Sequence, residues 1–220
     1  MDQLPLEITY KILNSCSFDD IQNLACCNRY FQKTTRSLLW KNVKIPLDKY
    51  DELKDKPLEA LRNARNIIFN NNSMKVSPSG GLPMLKEILP NCDKSKLHLL
   101  SFNRIFYKDV ISYALSHFDH VETLQFDSCT YLQTDSPPID KIPTFKVLSY
   151  DNYSKFDDQI IPQNDQLEEI IIKHGCDIDS EAIKVLSEAK SIKFSNYAAK
   201  SNTIIHILAT TWISNRLATL

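Results

Sequence analysis

The sequence predicts a mixed α/β protein in which a small helical unit precedes a curved parallel sheet with helices on its outer side. Near the N-terminus, apolar residues recur at helical spacing. The rest of the chain repeats one short strand-like pattern at near-constant intervals, which is typical of a solenoid built from stacked units. We place the boundary after residue 45, so that residues 1–45 form the helical unit and residues 46–220 the repeated part.

Composition and charge argue against several classes of function. Hydrophobic residues make up 43% of the 220 residues and charged residues 24%, as in an ordinary globular protein. The formal net charge is -1, with Lys and Arg spread along the chain. Nucleic acids and anionic membranes are bound by concentrated basic surfaces, so we expect neither as a partner. The most apolar late segment, 204–213, is about half the roughly 20 residues that span a bilayer, so we expect no membrane crossing.

Cysteine and glycine usage point to a chain without metal or cofactor. None of the six cysteines belongs to a Cys-x-x-Cys pair or stands at zinc-ligand spacing from a histidine. Free thiols, together with an N-terminus unlike a signal peptide, predict a location in the cytoplasm, the nucleus or both. Phosphate-cradling loops need several glycines at fixed offsets, and the chain has only three glycines, so a nucleotide cofactor is not expected.

Three short helices account for the N-terminal pattern. Pro5 suits the first position of helix one, and Glu7 favours the positive end of the helix dipole. Asp19 or Asp20 caps the second helix. The apolar positions are Ile8, Ile12 and Leu13 on the first helix, Ile21, Leu24, Cys27 and Phe31 on the second, and Leu38, Leu39 and Trp40 on the third.

So short a unit buries too little surface to be stable alone, so its apolar stripes need another partner. These helices are either the first helices of one larger core or a module whose apolar faces serve another protein. Pattern alone leaves both alternatives open.

The order of residues in this unit resembles the F-box family. The family's opening Leu-Pro-x-Glu-Ile has a counterpart at 4–8, and its Ile-Leu pair at 12–13. Asp20-Ile21 matches the start of the family's next helix, Leu24-Ala-Cys-Cys-Asn-Arg-Tyr-Phe31 continues it, and Leu39-Trp40 matches the closing Leu-Trp. There are two departures: Cys16 stands where the family usually has Leu, and the stretch from Phe31 to Trp40 is one residue shorter than is common.

The resemblance implies a partner and no reaction. F-boxes bury apolar helix faces against the adaptor subunit of a Skp–cullin–F-box ubiquitin ligase, and through it they reach a cullin. Trp40 is the natural large anchor of such an interface. The candidate adaptor-binding residues, some of which instead hold the module together, are Leu4, Pro5, Ile8, Ile12, Leu13, Ile21, Leu24, Cys27, Leu39 and Trp40.

The remaining chain follows the leucine-rich-repeat pattern L-x-x-L-x-L-x-x-N/C. The clearest example runs from Val121 to Cys129, with apolar residues at positions one, four and six. The fourth positions of six such segments are 67, 100, 124, 148, 170 and 192, which gives gaps of 33, 24, 24, 22 and 22 residues. We therefore predict about six leucine-rich repeats, with an insertion in the first interval. An ordinary α/β domain of alternating strands and helices is the alternative.

Other segments fit the same scheme. Asn72, Cys129 and Cys176 occupy the polar or small position that ends a repeat motif. Helices are predicted after Pro83, over 109–120 and 180–189, and over 203–217 as the last helix or a cap.

Strand alternation places every second residue on the concave face of such a solenoid. That surface is mixed and polar, which suits recognition of a protein target. The candidate target-binding residues are Asn103, Gln125, Asp127, Ser149, Asp151, Ile171, Lys173 and Lys193, and Asn70, Ser101 and Ser195 lie on the same predicted face.

No catalytic arrangement is recognisable. Nucleophilic catalysis needs a Ser or Cys beside a His, and the five histidines are dispersed with no nucleophile motif near them. His174 and Cys176 are better explained as a turn residue and a buried repeat position, and Cys26 and Cys27 diverge on a helix.

We therefore predict that the protein is not an enzyme. Two functions remain open: the substrate-recognition subunit of a ubiquitin ligase, with an unidentified protein as target, or a leucine-rich-repeat scaffold without a ligase role.

Overall fold

A computed structural model describes residues 5–16, 18–39, 41–48, 58–71, 81–129, 141–151, 164–174 and 190–195. Within these ranges the chain is a mixed α/β fold with helices at the N-terminus and one parallel sheet. The α-helices are α1 (Leu6–Asn14), α2 (Phe18–Cys27), α3 (Arg29–Leu39), α4 (Gly81–Ile88) and α5 (Lys108–His117). The strands are β1 (Asn42–Pro46), β2 (Asn66–Asn70), β3 (Leu99–Asn103), β4 (Thr123–Asp127), β5 (Val147–Asp151), β6 (Glu169–Lys173) and β7 (Ser191–Ser195). Short 3-10 turns cover Leu58–Asn63, Leu89–Asn91 and Lys94–Lys96.

The N-terminal helices differ from the prediction at one point. A single helix was expected to carry Ile21 through Phe31, but the chain breaks at Asn28 into α2 and α3. The Asn28 side-chain oxygen accepts a hydrogen bond from the Phe31 amide at 2.9 Å, so it caps the start of α3. Asparagine is among the best N-cap residues, and its local hydrogen bond outweighs the continuous apolar pattern here.

The three N-terminal helices have a small core of their own. Leu13, Ile21 and Phe31 are buried in it, one from each helix. The Thr35 hydroxyl is also buried, and it donates to the Phe31 carbonyl at 2.6 Å. The main apolar cluster of the protein begins only at Val43 and contains none of these three apolar residues. The helices therefore pack as a distinct unit in front of the sheet.

The sheet is parallel throughout, and its strands lie side by side in the order of the chain. Register is uniform, and it aligns all the predicted fourth positions, which confirms this part of the repeat interpretation. The row is Val43, Ile67, Leu100, Leu124, Leu148, Ile170 and Ile192.

Strand β1 extends the repeat beyond what was predicted. Val43 lies 24 residues before its register partner Ile67, the same interval that separates Leu100 from Leu124. The strand spans the predicted boundary after residue 45, and it directly follows the helical unit. The signal was present in the sequence, because Trp40, Val43 and Ile45 have the one-four-six spacing of the other motifs, but these residues fell within the range assigned to the helical unit.

A column of stacked aromatic rings runs through the core at the sixth repeat position. Phe69, Phe102, Phe126 and Tyr150 are fully buried and in register. Successive ring centroids lie 5.7, 5.5 and 5.3 Å apart, with interplanar angles of 27°, 16° and 17°. Neighbouring strands are about 4.8 Å apart, so identical side chains in register stack without strain. Each such pair contributes about 0.5–1.5 kcal/mol beyond its buried area.

Helices α4 and α5 supply further core residues. The prediction of a helix over 109–120 is confirmed, although α5 ends at His117. It buries Val110, Ile111, Ala114 and Leu115. The helix predicted after Pro83 begins two residues before it, at Gly81. The helices predicted over 180–189 and 203–217 lie outside the described residues.

The residues that follow three of the strands adopt a left-handed backbone. Arg104, Ser128 and His174 have φ values of 55°, 54° and 37°. The Arg104 amide donates to the Asp127 carbonyl at 2.8 Å, and the Ser128 amide donates to the Asp151 carbonyl at 3.1 Å. These bonds extend the strand pairing by one residue, which offsets the cost of the unusual backbone.

Cys129 occupies the predicted closing position of its repeat motif. Its side chain is buried, and Sγ lies 3.3 Å from the Phe102 carbonyl oxygen on the neighbouring segment. Its thiol therefore donates a hydrogen bond within the core. Asn72 and Cys176, predicted for the equivalent positions, lie outside the described residues.

Removal of one ring from the aromatic column tests how much the column contributes to the stability of the fold. Phe102→Ala leaves a cavity between Phe69 and Phe126, so we expect the free energy of unfolding to fall by about 3–5 kcal/mol. Phe102→Leu keeps most of the volume and is expected to cost clearly less. Urea unfolding followed by circular dichroism measures both changes. A loss below about 1 kcal/mol for the alanine variant would show that the column is not a main support of the fold.

Candidate protein-interaction surfaces

Helix α1 turns apolar side chains toward solvent. Ile8 is 42% exposed and Ile12 is 46% exposed, and they belong to the few large apolar side chains that are exposed among the described residues. They stand four residues apart, so they lie on one face of the helix. Pro5 is exposed just before the helix, and Leu13 is buried on the opposite side. The helix thus packs one face inside its own unit and leaves a second apolar face available.

The other predicted adaptor-binding residues divide into three groups. Cys27 is exposed and Leu24 is half-buried, so both remain accessible. Leu13 and Ile21 are buried in the helical unit, so they belong to the candidates that hold the module together: a unit this small needs them for its own core. Leu4, Trp40 and the side chain of Leu39 lie outside the described residues.

The helical unit joins the sheet through a very short connection. Helix α3 ends at Leu39 and β1 begins at Asn42. The carbonyl oxygen of Lys41 accepts hydrogen bonds from the amides of Arg65 and Asn66 at 3.0 and 2.9 Å. Lys41, the last residue before β1, is therefore already part of the backbone hydrogen bonding of the sheet.

The face of the sheet opposite the core, here called the open face, carries three rows of side chains. Register assigns each row to one strand position, and the middle and last rows contain all the predicted target-binding residues. The first row is Asn42, Asn66, Leu99, Thr123, Val147, Glu169 and Ser191, the middle row is Lys44, Ile68, Ser101, Gln125, Ser149, Ile171 and Lys193, and the last row is Pro46, Asn70, Asn103, Asp127, Asp151, Lys173 and Ser195.

Exposure on the open face differs from the prediction at the two serines. Ser149 is only 4% exposed, and Ser101 is equally buried. Gln125 stands between them in register, and Ile171 lies on the other side of Ser149. A short hydroxyl side chain between longer neighbours is covered by them, and alternation alone does not reveal this.

The first row was missed altogether by the sequence interpretation. Its half-buried members Leu99, Thr123 and Val147 are the first residues of β3, β4 and β5. Each lies on the same face of the sheet as the middle-row residue two positions later in its strand. The same alternation would have found them if the strands had been started one residue earlier. Leu99 and Val147 are the two apolar residues of this row, and polar residues occupy its other positions.

Carboxylates dominate the centre of the last row. Asp127 and Asp151 are register partners on β4 and β5. Asn103 donates its side-chain amide to Asp127 at 3.4 Å. One Asp151 oxygen lies 2.6 Å from Nδ1 of His174, and the other lies 3.9 Å from Nζ of Lys173. The centre of this row is therefore anionic, with its cationic groups at the β6 end.

An ion pair joins the middle row to the first row at the β6 and β7 end of the sheet. Lys193 Nζ lies 2.6 Å from Glu169 Oε1, across β6 and β7. The lysine is exposed, so this pair contributes little to stability. At the opposite end of the middle row, Lys44 is also exposed.

Two of the described thiols, those of Cys92 and Cys129, are poor nucleophiles in the folded chain. Burial raises the pKa of both Cys92 and Cys129 to about 12. Within the described ranges, no group of His, Cys, Asp and Glu side chains converges as a metal site would require. None of the helices that the structure describes has both the length and the apolar character needed to cross a bilayer.

Comparison with known families supports the interpretation of the N-terminal helices. Residues 1–42 match the model of the F-box domain. The chain carries an F-box. F-box domains typically bind Skp-type adaptors, and the match implies a general role in substrate recognition by ubiquitin ligases of the Skp–cullin–F-box type. The matched range ends at the first residue of β1, so the F-box comprises the three helices and their connection to the sheet. No curated protein matches the chain.

Differential thiol labelling tests the burial pattern across both parts of the chain. Cys26 and Cys27 are exposed, so brief iodoacetamide treatment of the native protein at pH 8 is expected to alkylate both. Cys92 and Cys129 are expected to stay unmodified, because a pKa of about 12 leaves almost no thiolate. Peptide mass spectrometry reads each site, and labelling in denaturant provides the control in which all react. Native alkylation of Cys129 at the rate of Cys26 would contradict the structure.

Proposed function

We propose that this protein is the substrate-recognition subunit of a Skp–cullin–F-box type ubiquitin ligase, with its F-box docking the Skp-type adaptor. The supporting observation is the exposed pair Ile8 and Ile12 within the matched range. Protein interfaces bury an apolar centre inside a polar rim. Glu7 and Lys11 flank the pair and are themselves exposed, which provides such a rim. Pro5, Leu24 and Cys27 are the other accessible candidates for this contact.

The second part of the proposal is that the chain from β1 onward is a leucine-rich-repeat solenoid that binds the target protein. It is supported by seven parallel strands in chain order and by the row of apolar residues at their second position. An ordinary doubly wound α/β sheet reverses its strand order at some point, and this sheet does not. A repeat unit cannot bury its apolar face alone, which is why each strand depends on the next.

In this function the protein makes no bond itself. It holds a target at a fixed place near the ubiquitin-loading machinery, which the adaptor reaches through a cullin. The contribution is effective concentration and orientation, and it ends in degradation of the target. We propose a location in the cytoplasm, the nucleus or both, and no enzymatic activity.

A scaffold without ligase role is the second candidate, and one observation favours it. The helical unit directly precedes β1, the first edge strand of the sheet, and the Lys41 carbonyl ties the connection between them to the start of β2. An uncovered sheet edge invites aggregation, and a cap is a sufficient reason for helices in this place. Only the capture of an adaptor separates the two functions.

Co-purification of the full chain with a Skp-type adaptor tests the proposed function. Ile8→Asp with Ile12→Asp places two charges in the apolar centre of the proposed contact, so we expect the affinity for the adaptor to fall at least about a hundred-fold. Both side chains are exposed, so the melting temperature is expected to change little.

Asn63→Asp with Gln166→Asp is the matched control. It adds the same charge at exposed positions outside the F-box and should leave capture unchanged. Leu13→Ala serves as the comparison for a folding defect, since it removes a buried side chain and should lower the melting temperature. A wild-type chain that never captures the adaptor would overturn the proposal and leave the scaffold.

A further inference from the structure

Charge is distributed unevenly along the border of the sheet at which the strands begin. One residue precedes each strand, and these residues form a border row: Lys41, Arg65, His98, Glu122, Lys146, Glu168 and Lys190. His98 Nδ1 lies 2.7 Å from Glu122 Oε2, so side chains of this row contact one another across strands. From Glu122 onward the signs alternate, so each charge has an opposite neighbour. This part of the border is therefore compensated within the chain.

The row begins with two cations that have no such neighbour. The Lys41 carbonyl accepts a hydrogen bond from the Arg65 amide at 3.0 Å, which places the two residues side by side. Lys44 adds a third cation, exposed at the start of the middle row. Strands β1 and β2 contain no acidic residue. Within the part of the chain that the structure describes, none of these three cations makes an ion pair. The β1 and β2 end of the sheet therefore presents uncompensated positive charge.

Two asparagines of the first row lie among these cations. Asn42 and Asn66 are register partners on β1 and β2. The Asn66 side-chain amide donates to the Asn42 side-chain oxygen at 2.5 Å, which orients both groups. A side-chain amide has two N–H donors, and this bond uses neither of those on Asn42, which is exposed. An oriented donor between Lys41 and Lys44 suits a carboxylate, because an ionised carboxylate only accepts hydrogen bonds.

Apolar side chains adjoin this polar group on the open face. Ile68 is the register partner of Lys44, and Leu99 is the register partner of Asn66. Both apolar side chains are half-buried. Neighbouring strands are about 4.8 Å apart, so both lie within two strand spacings of Lys44. A segment that lies across β1, β2 and β3 can therefore contact cationic and apolar groups together.

We propose that this surface, here called the basic end of the sheet, binds a segment of a target protein that carries clustered carboxylates beside an apolar residue. The basic end comprises Lys41, Asn42, Lys44, Arg65, Ile68 and Leu99. The cations and the Asn42 amide contact the carboxylates, and the apolar residue of the segment covers Ile68 and Leu99. The inference rests on the proposed function, since it names the chemistry of the target.

Charge and position favour a protein target over other occupants. Nucleic acids and anionic membranes are bound by basic surfaces larger than three cations, and the formal net charge of the chain is -1. Lys44 and Arg65 lie beyond residues 1–42, which match the F-box. The exposed pair proposed to contact the adaptor, Ile8 and Ile12, lies on α1. The basic end is thus separate in the chain from the proposed adaptor contact.

Fluorescence anisotropy with the full chain tests this inference. The probe is a labelled, end-capped peptide of repeated Glu-Leu-Ser-Gly, with copies in which Gln or Lys replaces every Glu, or Ser replaces every Leu. We expect the Glu peptide to bind about ten-fold or more tightly than the Gln copy, and the Lys copy not to bind. The copy without Leu should bind more weakly than the Glu peptide, because the apolar contact is lost. Added salt should weaken binding of the Glu peptide, because salt screens exposed charges.

Neutral substitutions in the protein test the same contact from the other side. Lys44→Gln with Arg65→Gln removes two exposed cations and should reduce binding of the Glu peptide by about ten-fold or more. Lys86→Gln with Arg104→Gln is the matched control, because it removes one lysine and one arginine at exposed positions on α4 and after β3. It should leave binding unchanged. Circular dichroism identifies variants that fail to fold, and the single Lys44→Gln change, which should also weaken binding, replaces the pair in that case.

Four results would contradict the inference. They are equal affinity of the wild type for the Glu and Gln peptides, unchanged binding by Lys44→Gln with Arg65→Gln, and tighter binding of a single-stranded oligonucleotide than of the Glu peptide. The fourth is self-association of the wild type that this double variant abolishes, which would assign the basic end to a second copy of the chain.

Adaptor capture separates this inference from the proposed function. Lys44→Gln with Arg65→Gln should capture a Skp-type adaptor as the wild type does, and loss of capture would assign the basic end to the adaptor and overturn the inference alone. If the wild-type chain prefers the Glu peptide but never captures an adaptor, the ligase proposal is overturned and this inference survives. If the adaptor is captured and the Glu and Gln peptides bind alike, the outcome is the reverse.

Discussion

The in-register pairing of short parallel strands is the constraint on which the rest of this structure depends. Each strand is five residues long and contributes only two or three residues to the core, so no strand is stable without its neighbours. Register places Leu100 on Leu124 and Phe102 on Phe126. Aliphatic rows and stacked rings therefore form continuous columns through the protein. A shift of one residue would turn every one of these side chains to the opposite face.

The same register organises the surface that faces away from the core. Alignment of strand ends brings Asp127 next to Asp151, and alignment of strand centres buries Ser149 between Gln125 and Ile171. Neither arrangement follows from the identity of these residues. Both are consequences of packing on the other side of the sheet. The arrangement of side chains on the open face thus follows from the requirement that the apolar columns be continuous.

The F-box meets this sheet without a flexible linker. Its own core is small and separate, yet its last helix is followed almost immediately by a strand. Helix α1 directs Ile8 and Ile12 outward, while Leu13 packs inward. The connection is only two residues long, and backbone hydrogen bonds hold its second residue, Lys41, to the start of β2. In a protein whose proposed role is to present a target, orientation is the quantity that matters.

Periodicity in the sequence was enough to predict the register of the core rows, because apolar spacing reports directly on local structure and repeat length, whereas the F-box was predicted from its resemblance in residue order. It did not predict the break at Asn28, where a single side-chain hydrogen bond overrides a continuous apolar pattern. Strand β1 was missed because its residues fell within the range that was assigned to the helical unit. The burial of Leu13, Ile21 and Ser149 was decided by tertiary packing, since exposure depends on which neighbours surround a side chain and not on its type.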